Sequence, residues 1–90
     1  MSVDQVLKII NEKGLHARAS AKFVEIVEAH DGEAEVEKDG MSVSGDSIMG
    51  LLMLAASRGT EIRVTTSGEQ ATELMTALAA LLADKFGEPF

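Results

Sequence analysis

The sequence contains no cysteine. Disulfides, thiolate metal sites and thiol catalysis are thereby excluded, and the absence suits a reducing compartment. Aromatic residues are scarce: three Phe, with neither Trp nor Tyr, among 90 residues. The core must be built from Leu, Ile, Val, Met and Ala instead. Basic residues are few as well, 8 Lys and Arg against 15 Asp and Glu, for a formal net charge of −7. Phosphate backbones and anionic membranes are held by clustered Lys and Arg, so nucleic acid and membrane surfaces are poor partners. Partners should present basic or apolar surface. No apolar run approaches the roughly 18 residues of a membrane span. Met1 to Gln5 has no basic stretch leading into an apolar one, so no signal peptide is expected. A soluble, cytoplasmic, monomeric protein is the expectation, and the length fits one domain, residues 1–90.

What is present alternates in period along the chain. Residues 3–10 are β-prone and predict a strand. Ala17 to Ala29 carries Ala19, Phe23, Ile26 and Val27 at helical spacing and stops at Asp31-Gly32. Residues 33–37 alternate polar and apolar, as a half-exposed strand does. Asp39-Gly40 is a hairpin signal, so Met41 and Val43 should fold back as a partner strand. Ser47 to Ser57 predicts a second helix, ended by Arg58-Gly59. Thr60 to Thr66 predicts a strand with Ile62 and Val64 on one face and Glu61, Arg63 and Thr65 on the other. Ser67 and Gln70 have capping-box spacing. A last helix follows, with Ala71, Leu74, Leu78, Leu81 and Leu82 on its buried stripe. Glu88 to Phe90 is expected to fray. The order βαββαβα, with one apolar face per element, predicts an α+β fold. Three helices should cover one face of a four-stranded, mainly antiparallel sheet.

Two histidines are candidates for chemistry. His16 sits where Gly14 turns into the first helix. Unpaired N–H groups and the positive end of the macrodipole make such a place receptive to anions. Arg18 could add a guanidinium to phosphate oxygens. A neutral imidazole is a competent nucleophile near neutral pH, so phosphoryl uptake on His16 is one reading and a plain surface histidine is the other. His30 lies in the last turn of the same helix, where it need only complement the dipole. Two histidines without a carboxylate cluster make a poor metal site. No metal and no cofactor are expected, and neither a hydrolytic triad nor a nucleotide loop is present.

Ser47 stands at an N-cap position, with Asp46 competing for it. In the helix that follows, Leu51, Leu54 and Ala55 can face the core together. Ile48, Met49, Leu52, Met53 and Ala56 then spread around the rest. A domain this small cannot bury such a helix all round, so some of Ile48, Met49 and Leu52 should form an exposed partner-binding patch. Self-association is the other use of that patch.

The run Gly14-Leu15-His16-Ala17-Arg18 resembles the active-centre signature of the HPr family, the phosphocarriers of the phosphoenolpyruvate-dependent phosphotransferase system. Ser47-Ile48-Met49-Gly50-Leu51-Leu52-Met53-Leu54-Ala55 resembles that family's regulatory-serine helix, at the expected separation. The resemblance covers the whole chain and implies the HPr open-faced βαββαβα sandwich. It implies that His16 is phosphorylated by an Enzyme I and donates to an EIIA-type acceptor, with Arg18 beside it. It also implies Ser47 as a target of an HPr kinase/phosphorylase. Two departures stand out. The signature usually continues Arg-Pro-Ala, whereas this chain has Arg18-Ala19-Ser20. Where sugar-system members often carry Lys or Arg on the exposed face of the first helix, this chain has Glu25 and Glu28. These acids, with the Leu51 to Leu54 run, look closer to the nitrogen-related (NPr-like) branch. A regulatory binding module, controlling a partner enzyme according to phosphorylation state, is the alternative.

Overall fold

The computed structural model describes all 90 residues. The elements are β1 (Ser2–Lys8), α1 (Ala17–Glu28), β2 (Glu33–Lys38), β3 (Met41–Ser44), α2 (Ile48–Met53), β4 (Glu61–Ser67) and α3 (Ala71–Ala83), followed by a 3-10 turn at Lys85–Gly87. The expected order holds, and the sheet runs β1-β4-β2-β3. All three pairings are antiparallel. Leu7 pairs with Ile62, and Val36 pairs with both Val43 and Val64. Because side chains alternate across a strand, one register buries Leu7, Ala34, Val36, Ile62 and Val64 together. The opposite residues Glu33, Glu35, Glu37, Glu61 and Arg63 stay exposed. Helices therefore cover one face only. The hairpin turns at Asp39 and Gly40, both at positive φ, as the Asp-Gly pair predicts.

The helices close the core from their apolar stripes. α1 contributes Ala19, Phe23, Val24 and Val27, and α3 contributes Ala71, Leu74, Met75, Leu78 and Leu82. Leu81 is only partly buried at the edge of that stripe.

Four expectations are corrected. β1 ends at Lys8 rather than at residue 10, although Ile9 continues to bond through the backbone with Thr60 and Gly59. α2 stops at Met53, because Ala55 swings to φ 51°. That swing exposes Ala55 and buries Ala56, the reverse of the expected pair. The Ser67/Gln70 capping box does not form. Gln70 is itself the residue before α3, and its Oε1 accepts the Asp31 N–H at 2.7 Å. Finally, the segment after α3 does not fray. Lys85, Phe86 and Gly87 all take positive φ, and this left-handed turn drives Phe86 fully into the core. Lys22 Nζ donates to the Phe86 carbonyl at 2.7 Å and ties the turn to α1. No helix is long and apolar enough to cross a membrane.

Candidate functional site

The entry to α1 is built by the loop between Ile9 and Leu15. Gly14 has φ 68°, and its Cα lies so close to the Ala56 carbonyl that a Cβ would stand 2.6 Å from that oxygen. Only glycine allows both the handedness and the approach. The Leu15 N–H then donates to the Ala56 carbonyl at 2.9 Å. Asn11, fully buried, holds the loop from inside by donating Nδ2 to the Gly14 carbonyl at 2.9 Å. The segment before His16 is thereby fixed against the exit from α2.

His16 is the N-cap residue of α1, with extended backbone (φ −80°, ψ −177°), and its side chain makes no capping bond. The first bond of the helix is the Ser20 N–H to the His16 carbonyl, at 2.8 Å. The N–H groups of Ala17, Arg18 and Ala19 therefore have no helical acceptor. An alanine at 19, where the family signature has proline, adds a third N–H to that set. No acidic side chain occupies the first turn to neutralise it. The end of α1 is an open, positively polarised terminus with an imidazole at its lip.

The imidazole is not loose. Its Nε2 meets the Glu88 carboxylate, and the other carboxylate oxygen accepts from Asn11 Nδ2 at 2.9 Å. His16 retains 26% of its side-chain exposure and Glu88 only 12%. Burial alone would raise the Glu88 carboxyl. Hydrogen bonds from Asn11 and His16, with positive charge at His16 and Lys13, outweigh it, and the net direction is down from the ordinary carboxylate value. Its ionised contacts are therefore kept through neutral pH and lost as acid passes the lowered value. Sequence reasoning missed Glu88 entirely. The one available signal was Phe86, a large apolar side chain near the end of the chain that needed burial, but its spacing from Leu82 reads as more helix rather than as a reversal.

Arg18 is exposed and forms no ion pair. It lines a cleft of about 450 Å³ together with Glu12, Lys13, Glu88, Pro89 and Phe90. A second concavity, of about 420 Å³ between Gly32–Glu35 and Ser42–Ser44, holds no histidine. No cluster of three potential metal ligands occurs anywhere in the chain. His30 donates Nδ1–H to the Ile26 carbonyl at 2.8 Å, a local helix-end contact.

Ser47 is the N-cap of α2, and its Oγ accepts the Gly50 N–H at 3.0 Å. Asp46 does not take the cap, since its carboxylate is engaged by the Ser44 hydroxyl. Ser47→Ala should lower stability by about 1 kcal/mol in urea denaturation. Ser47→Asp, which restores an acceptor at a helix N-terminus, should recover most of that loss. Beyond the cap, Leu51 and Leu54 are buried. Ile48 and Leu52 are exposed, and Met49 and Met53 more so, at 70% and 64%. Met53 thus joins the expected patch of Ile48, Met49 and Leu52. The loop that follows α2 touches Gly14 and Leu15 through Ala56, two residues from His16.

An open helix terminus carrying an imidazole, with the Arg18 guanidinium on the same first turn, is an arrangement suited to receiving a phosphoryl group. Residues 3–84 match the family described as "PTS HPr component phosphorylation site". The chain is 48% identical over 84 residues to phosphocarrier protein HPr of Neisseria meningitidis serogroup B, covering 93% of this chain and 94% of that protein. It is 35% identical over 89 residues to phosphocarrier protein NPr of Escherichia coli K12, covering 98% and 99%. The crystal structure of HPr-C-His from Thermoanaerobacter tengcongensis superposes with a TM-score of 0.92 at 35% identity, covering 98% of this chain and 99% of that one. The chain belongs to the HPr family of the phosphotransferase system, and it is a phosphocarrier, not a catalytic enzyme.

Proposed function

We propose that His16 is the residue that carries the phosphoryl group. It receives the group from an Enzyme I, with phosphoenolpyruvate as source, and passes it to an EIIA-type protein in the cytoplasm. The observation that carries this reading is the uncapped start of α1. Three N–H groups without helical acceptors follow an imidazole that makes no capping bond. Arg18, unpaired on the same first turn, supplies charge to phosphate oxygens. With purified Enzyme I and labelled phosphoenolpyruvate, wild-type protein should take up acid-labile, alkali-stable label. His16→Ala should take up none, and equal labelling of the two would overturn the assignment.

The exposed Glu25 and Glu28 on α1 favour a nitrogen-type relay and a nitrogen-type Enzyme I over a sugar permease. The 35% identity to an NPr along nearly the whole chain is compatible with that direction. Partners dock on Ile48, Met49, Leu52 and Met53, where flexible thioethers suit a face that receives more than one protein. The same patch supports regulation of a partner enzyme as a second use. Ser47 is the control point, modified by an HPr kinase/phosphorylase. A phosphate there adds about −1.5 to −2 charges at a helix N-terminus, so the fold tolerates it while the docking face turns negative.

A further inference from the structure

The contact between Glu88 and His16 joins residues that lie 72 positions apart in sequence. Three independent observations build it. The left-handed turn at Lys85, Phe86 and Gly87 reverses the chain after α3, and buried Phe86 anchors that reversal. Glu12 N–H donates to the Phe90 carbonyl at 3.0 Å, which ties the end of the segment to the loop before His16. Asn11 Nδ2 fixes one Glu88 oxygen and the Gly14 carbonyl at once. The carboxylate is therefore held from both sides.

A carboxylate can only accept, so the nitrogen that meets it must carry a proton. Nε2 is that nitrogen. In a neutral ring the lone pair then resides on Nδ1, which makes no hydrogen bond within the protein. We propose that Glu88 is a positioning residue for phosphoryl transfer, its carboxylate holding the His16 ring with the proton on Nε2 so that Nδ1 presents the lone pair. The inference rests on His16 as the phosphoryl acceptor and adds the group that orients it.

The step balances without moving a proton. The Nδ1 lone pair forms the N–P bond while the bond from phosphorus to the donor breaks, and that electron pair leaves with the donor. The ring keeps its Nε2–H and becomes cationic, facing Glu88. When the group is handed on, the N–P bond breaks and its pair returns to Nδ1, leaving a neutral imidazole. The carboxylate thus lies opposite charge that appears on loading and disappears on unloading. Lys13, Arg18 and Glu12 are the other charged groups at this cleft. None of them bonds to the ring.

The test compares wild type with Glu88→Ala and with Glu88→Gln, which keeps an acceptor oxygen but not the charge. Ring nitrogen chemical shifts of ¹⁵N-labelled protein report the tautomer, and Enzyme I assays report transfer. In wild type the neutral ring should be uniformly protonated on Nε2. In Glu88→Ala it should become a tautomer mixture, with the maximal rate of phosphoryl uptake down about tenfold, the scale of one charge-assisted hydrogen bond. The KM for Enzyme I should stay unchanged, and Glu88→Gln should fall between the two on both readouts. A merely structural strap would shift the melting temperature without moving the tautomer. Unchanged ring shifts, or changed shifts with an unchanged rate, would overturn the proposal. Failure of wild type itself to take label would instead overturn the assignment of His16.

Discussion

Phe86→Ala should lower the stability of the domain by about 3–5 kcal/mol in urea denaturation, the range for deleting a fully buried phenyl ring. The reason is specific to its backbone. Phe86 sits at φ 57° and ψ 26°, flanked by Lys85 at φ 56°. Residues with a Cβ avoid this region, and holding one there costs on the order of 1 kcal/mol. Burial of the ring offsets that cost. Alanine keeps the Cβ, and so keeps the strain, while losing the burial. Domains of this kind are stable by only about 5–15 kcal/mol, so the variant should sit close to its unfolding midpoint on mild heating. Glu88 should leave His16 in the same variant, because the turn that delivers it is no longer anchored. A Phe86→Ala protein with wild-type stability would show that the segment after α3 packs less firmly than described.

Gly14→Ala should produce a large loss at the site while removing none of the site's side chains. The added Cβ meets the Ala56 carbonyl oxygen at 2.6 Å and the Ser57 Cα at 3.0 Å, both backbone atoms that cannot rotate away. The φ of 68° adds about 1–2 kcal/mol for any residue bearing a Cβ. Relief requires the loop to move off the exit from α2, and the Leu15 to Ala56 hydrogen bond moves with it. His16, two residues on, is displaced. A displacement near 1 Å costs about a hundredfold in a positioned reaction, so uptake of labelled phosphate should fall by about that factor. Gly40→Ala separates the two causes. Gly40 has φ 83°, but a Cβ there would meet nothing within 4 Å. It should lose about 1 kcal/mol in denaturation and keep its rate of phosphoryl uptake.

Much of this arrangement is legible in the sequence because it rests on short-range rules. Alternation at 33–37 and 61–65, the Asp39-Gly40 turn and the spacing of Phe23 and Val27 each name an element without long-range information. Placement of His16 at a helix start follows from Gly14 and the periodicity after it. The misses share one cause. Ala55 and Ala56 exchange places because a single residue leaves the helical region. Gln70 abandons a local cap for Asp31, 39 residues away. Glu88 reaches His16 across almost the full chain. Each depends on where the chain has already returned in space, which a local pattern does not encode. Residue chemistry picks out His16 as a candidate, whereas only the closed fold shows the Glu88 carboxylate that meets it.

The bare start of α1 also bears on how tightly the cargo is held. A helix whose N-cap side chain contributes no bond is incomplete by about 1 kcal/mol relative to one capped by serine or aspartate. The resting protein carries that deficit permanently. A phosphoryl oxygen at the same N–H groups would make it good, and departure of the group to an acceptor would restore it. The helix would then act as a small counterweight on group-transfer potential, worth less than a tenfold bias in either direction. A relay station benefits from so shallow a well, since a deeper one would turn the carrier into a trap.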